Sequence, residues 1–178
     1  MKTAVTILLF LIPFPVFAQY VGLGYQVADL EKHQFVATLT LPWLMPRNNF
    51  NPSIATGIEY STGAAKISGL NIKALSASLP FLIRKNNNWL NIDPGVDAGY
   101  MFGLGHSKNG VVVSPNLHLS FNLAFHLKAG YDYNITEKNG QFFIRLAFGL
   151  GSGLLIHLNT PPPYRRHLLE ENNTTTSQ

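Results

Sequence analysis

The 178-residue chain contains no cysteine. It therefore has no disulfide, no thiolate metal ligand and no cysteine to carry a lipid, and must be held by non-covalent packing. Charge is scarce too. Asp, Glu, Lys and Arg make up 12% of the residues, about half the share usual in soluble domains. The formal charge is only +4, and basic residues do not cluster except at Arg165-Arg166. This argues against a nucleic-acid-binding protein, so no nucleic acid is expected among the partners. After residue 18 there is no uninterrupted apolar run of helical membrane-spanning length.

What is present is export chemistry and strand patterning. Lys2 precedes an apolar stretch from Ala4 to Val16, broken by Pro13 and Pro15. Val16-Phe17-Ala18 places small residues at the −3 and −1 positions of a cleavage site. Residues 1–18 thus read as a signal peptide, with Gln19 the expected first mature residue. At the other end, Thr160-Pro161-Pro162-Pro163 stops any strand, because proline cannot donate to a ladder. Asn172 to Gln178 is polar and of low complexity, so residues 160–178 read as a disordered, periplasmic tail.

Between these ends, residues 19–159 alternate apolar and polar with period two, interrupted by turn residues. Eight segments emerge, and they predict an all-β protein: an antiparallel up-and-down β-barrel. In Val21–Ala28, Val, Leu, Tyr and Val share one face, opposite Gly, Gly, Gln and Ala. Gln34–Trp43 and Ile54–Tyr60 continue the pattern. So do Leu90–Leu104, where only Met101 breaks it, Val113–Asn122, Leu127–Asn134 and Phe142–Ile156. The fourth segment, Lys66–Ile83, changes phase near Ala74. That predicts a β-bulge there, or two shorter strands. Asn109-Gly110 and Asn139-Gly140 are hairpin signals.

The polar face is rich in Gly, Asn, Ser and Thr with few charges, which suits a narrow lumen better than a water-facing surface. The apolar face is therefore expected to meet lipid, and outer-membrane lipid and the outer-membrane assembly machinery are the expected partners. Aromatic residues fall at strand ends and predict two belts. Trp43, Phe81, Trp89, Phe121 and Phe125 lie at one, and Tyr25, Phe35, Tyr60, Tyr100, Phe102, Tyr131, Tyr133 and Phe142 at the other. Seven charged residues fall on the inward face: Glu59, Lys73, Asp93, Asp97, Lys128, Asp132 and Arg145. Charges in a closed interior need partners, so they are expected to pair into a polar plug. Arg145 is expected inside, between Phe143 and Ala147, with Asp132 its nearest acid in sequence and Glu59, Asp93 and Asp97 the alternatives.

The pattern resembles that of the small eight-stranded outer-membrane barrels of the OmpA transmembrane-domain and OmpX kind, over roughly residues 20–158. Leu127-Lys128-Ala129-Gly130-Tyr131-Asp132-Tyr133 is similar to their Gly-Tyr strand pieces. Gly153, Ile156 and Leu158 partly match their C-terminal strand signal, although here the chain runs on. The resemblance implies an outer-membrane location and a structural, adhesion or envelope-integrity role without catalytic residues. Some barrels of this size are lipid A deacylases that use His and Ser one residue apart. Here His106 and Ser107 are adjacent and fall in a predicted loop. No cofactor is expected. His118 and His126 face inward on neighbouring strands, but no pair of histidines has metal-ligand spacing on one element, and no metal site is expected. An outer-leaflet lipid-modifying enzyme and a secreted ligand-binding barrel are the competing functional classes.

Overall fold

The computed structural model describes residues 20–44, 50–63, 65–85, 88–121 and 124–150, the side chains of Tyr20, Arg84, Lys85, Asn88, Trp89 and Leu150 excepted. The predicted signal peptide, the residues beyond Leu150 in the last predicted strand and the predicted tail lie outside these residues. All regular structure described is strand: β1 (Tyr20–Ala28), β2 (Lys32–Leu44), β3 (Ser53–Ser61), β4 (Gly69–Ser78), β5 (Phe81–Lys85), β6 (Asn88–Gly103), β7 (Gly110–Phe121), β8 (Phe125–Asn134) and β9 (Asn139–Leu150). Every pairing is antiparallel, and β9 returns to pair with β1, closing a barrel.

Nine strands make eight staves. Ser78 faces Gly95 and Phe81 faces Ile92, so β5 continues β4 along β6 in one register. Leu79 keeps its ladder bond to the Pro94 carbonyl at 3.0 Å, but Pro80 has no N–H to give. The predicted bulge lies within β4. Lys73 faces Gly99 and Leu75 faces Ala98, leaving Ala74 extra, and Ala74 and Leu75 both point outward. The phase break in the sequence is therefore the bulge; the division into β4 and β5 comes later, at Leu79-Pro80, without a change of register.

Two local expectations need correction. The fourth strand begins at Gly69, not Lys66. Residues 65–68 instead fold into the barrel mouth, where Ala65, Ile67 and Ser68 are buried. Ile67 looked like a strand residue because it is apolar; it is apolar because it sits beneath a loop. Nor do the Asn-Gly pairs form the turn tips. Asn139 and Gly140 are already paired with Asn134 and Tyr133. Asn109 caps Gly103, accepting its N–H at 2.8 Å, and Gly110 opens β7. Among the described residues, the positive φ angles fall on Asp29, Leu30, Phe50 and Lys138 and on Gly63, Gly69 and Gly105.

The wall is inside-out relative to a water-soluble barrel. Gln26, Gln34, Gln141, Asn91, Asn134 and His126 are among the largest fully buried side chains, while Leu, Ile, Val and aromatic residues cover the outside. On β9, Phe143 is 1% exposed and Ile144 is 40% exposed, a direct reading of the alternation. Aromatics mark both rims. Trp43, Phe121, Phe125 and Phe148 are exposed near the rim where β1 begins, the lower rim; Phe81, half-buried there, stacks on Phe50 at 4.7 Å. Tyr25, Phe35, Tyr60, Tyr100, Phe102, Tyr131, Tyr133 and Phe142 are exposed toward the other, upper rim. The side chain of Trp89 lies outside the described residues.

Candidate functional site in the barrel lumen

Alternation delivers the inward charges, and closure of the barrel brings them together. Arg145 on β9 grips Glu59 on β3 with both terminal nitrogens, Nη2 to Oε1 at 2.7 Å and Nη1 to Oε2 at 2.8 Å. Lys73 on β4 donates to Glu59 and to Asp97 on β6, both at 2.8 Å. Lys128 on β8 donates to the same Asp97 oxygen at 2.8 Å. The result is a chain of alternating sign, Arg145–Glu59–Lys73–Asp97–Lys128, that crosses the lumen and ties five staves together.

Neutral groups fill the remaining valences. Gln26 accepts from Arg145 Nε and Nη2 at 2.9 and 2.7 Å. Ser76 donates to Asp97 at 2.7 Å and Thr38 to Glu59 at 3.2 Å. The Arg145 guanidinium also lies 5.4 Å from the centre of the Phe143 ring. Ions this deep cost several kcal/mol each unless paired and hydrogen-bonded, and each of the five lies against an opposite charge.

The remaining two acids stand apart. Asp132, nearest to Arg145 in sequence, accepts instead from Ser114 at 2.7 Å and from Gln141 at 3.4 Å. Ladder register explains the difference. Asp132 lies opposite Gln141, whereas Arg145 lies opposite Lys128. Two cations side by side must each reach across the lumen for a carboxylate. Asp93 accepts from Asn91 at 2.7 Å and lies 3.7 Å from His118 Nδ1.

Above the network the lumen is stoppered. The N–H of Ile67 donates to Gln141 Oε1 at 3.0 Å, and its carbonyl accepts from Gln141 at 2.9 Å and Gln34 at 3.3 Å. Ile67 then packs with Met101 and Val112. This explains why Met101 breaks the polar pattern of its strand: it faces the underside of the loop. Ser107, beside His106, has a structural task here, accepting from the N–H of Ser68 at 3.1 Å. Below the network is a polar cavity of about 50 Å³, lined in part by Thr40, Ser78, Asp93, Asn116, His118 and Lys128. It has room for a few waters.

At the floor of the lumen, His118 Nε2 meets His126 Nδ1 at 3.0 Å, and His126 Nε2 meets the Gly149 carbonyl at 2.9 Å. His118-Leu119-Ser120 has the one-residue spacing that His106-Ser107 lacks, a signal the sequence reading passed over. Both side chains face inward, however. His118 is turned to His126, and Ser120 Oγ makes no hydrogen bond among the described residues. Among the described residues, no group of three His, Cys, Asp or Glu side chains could hold a metal ion. The chemistry this arrangement offers is cohesion and obstruction: paired ions, a stopper above and a small cavity with polar walls below. No family model, no curated protein and no solved structure matches the chain.

Proposed function

We propose that this protein is an outer-membrane β-barrel, of the kind that OmpA transmembrane domains and OmpX represent, with a structural, adhesion or envelope-integrity role and a lumen closed to solutes. The observation that carries this reading is the inverted polarity of the wall: ions and amides within, a continuous apolar surface without, rimmed by aromatics. Such a surface in water would be a very large exposed apolar patch, well beyond what soluble monomers tolerate. In a bilayer it is the expected lipid-facing band, with its aromatics at the interfaces. A soluble ligand carrier needs the opposite arrangement, an apolar pocket inside a charged shell. The closed lumen supports a non-conducting role, because Arg145, Glu59, Lys73, Asp97 and Lys128 bridge it from wall to wall.

Fractionation of a double-membraned bacterium expressing the full chain, combined with gel mobility in detergent, tests this. The protein is expected in the outer-membrane fraction, running compactly when unheated and more slowly after boiling. Recovery in the soluble periplasmic fraction, with mobility indifferent to heating, would overturn the proposal.

A further inference from the structure

The outer wall is not evenly filled. Ladder register sets Phe148, Leu23, Ala37, Tyr60 and Leu70 side by side on five neighbouring staves, all on the outer face. Two residues along their strands, Val21, Leu39 and Ile58 form a second outward row. Rows so related lie about 6.6 Å apart, the rise of two strand residues. Ala37 is the shortest side chain in either row, and Leu23, with only Ala37 beside it on β2, is 71% exposed. Between the rows Gly22 and Gly149, paired across the β1–β9 seam, offer bare backbone. The result is an apolar groove of about 430 Å³. It starts low, at Phe148 and Gly149 near the end of β9, and climbs obliquely to Tyr60 and Leu70 near the upper rim.

The walls restrict what can lie there. Only Thr38 and Tyr60 among the lining side chains carry a hydrogen-bonding group, and Thr38 turns its hydroxyl inward to Glu59. A peptide laid in the groove would leave its N–H and C=O groups unpaired, at a cost of several kcal/mol each in an apolar setting. A second barrel is convex and could send in only single side chains. An unbranched hydrocarbon chain has no polar group to satisfy and fits a trough one chain wide. We propose that the groove holds one acyl chain of a phospholipid, which stays with the barrel while its neighbours exchange. The inference rests on the outer-membrane reading and adds to it one lipid with a fixed place. The low end of the groove lies where the first strand begins and the last ends, at the rim that faces the periplasm in barrels of this kind, where the leaflet is phospholipid. The headgroup sits at that rim beside Phe148, and the chain climbs past Ala37 toward Tyr60.

The full chain, folded into vesicles of phosphatidylethanolamine and phosphatidylglycerol, extracted in mild detergent and weighed intact by native mass spectrometry, tests this. A single barrel carrying one phospholipid is expected, with a compact unheated gel band. Ala37→Phe fills the groove and should lose that lipid while the band stays compact. Ala129→Phe, at another outward alanine, flanked by Leu117 and Ile144, should keep it. If Ala37→Phe does not fold, Ala37→Leu takes its place. A folded barrel without lipid, or one as fully loaded in the Ala37 variant as in Ala129→Phe, would overturn this inference and leave the outer-membrane reading standing. So would a paired barrel that the Ala37 substitution separates, since a second copy would then occupy the groove. Protein that stays in solution beside the vesicles would overturn both.

Discussion

Arg145 shows how little of a buried charge's fate lies in its own strand. Its inward direction was legible from Phe143, Ile144 and Ala147 alone, because a strand has period two and closure does not alter it. Its partner was not. Glu59 lies 86 residues away, and no local feature links the two. Nearness in sequence pointed to Asp132, which the ladder sets opposite Gln141. Replacing Arg145 with Leu leaves Glu59 buried with Lys73 as its remaining cation. Breaking a buried pair from one side costs about 3–5 kcal/mol, and removing both partners costs much less. Arg145→Leu is accordingly expected to lower urea resistance in detergent by that amount, and Glu59→Leu added to it should restore part of the loss. Combined with Asp132→Asn, the effects should simply add. Recovery with Asp132→Asn and none with Glu59→Leu would mean that the pairing described for Arg145 is not the one that stabilises the barrel.

Among the elements, β4 holds the clearest correspondence between sequence and structure. Leu70 and Ile72 stand in one phase and Leu75 in the other, and the extra residue that reconciles them is Ala74. The loop before it was illegible, since Ile67 is as apolar as a strand residue and the groups that fix it in place, the Gln34 and Gln141 amides and the side chains of Met101 and Val112, come from distant strands. The bulge yields a sharp prediction about length. Lys73 already faces inward and Leu75 outward, and their partners Gly99 and Ala98 are consecutive. Deleting Ala74 would make both ladders of β4 regular without turning any side chain over. Deleting Ile72 instead would also remove the extra residue, but it would turn Lys73 outward and Ala74 inward, since a one-residue slip exchanges the faces of the residues between the gap and the bulge. The Ala74 deletion should still give a compact unheated band, and the Ile72 deletion should not. Two equally damaged barrels would show that the bulge itself is indispensable, for the curvature it introduces.

At the scale of the whole molecule, closure is the event on which the rest depends. The alternation along each strand says what will be inside, but only the β1–β9 seam brings Gln26 and Glu59 from the first staves within reach of Arg145 on the last. That ordering in space is also an ordering in time. Contacts between residues 86 and 119 positions apart must wait until most of the sheet has assembled, because long loops close slowly and at an entropic cost. The lumenal ions therefore bond after the rate-limiting step of folding, and they act as a brake on the way out. Weakening them with Glu59→Gln should leave the folding rate from urea nearly unchanged and raise the unfolding rate by almost the whole loss in stability. Slowed folding with unchanged unfolding would instead mean that the charges meet early and guide closure. A barrel braced in this way gains a deeper energy well and a higher wall around it by nearly the same amount. Its lifetime, as much as its equilibrium stability, is what the lumenal charges set.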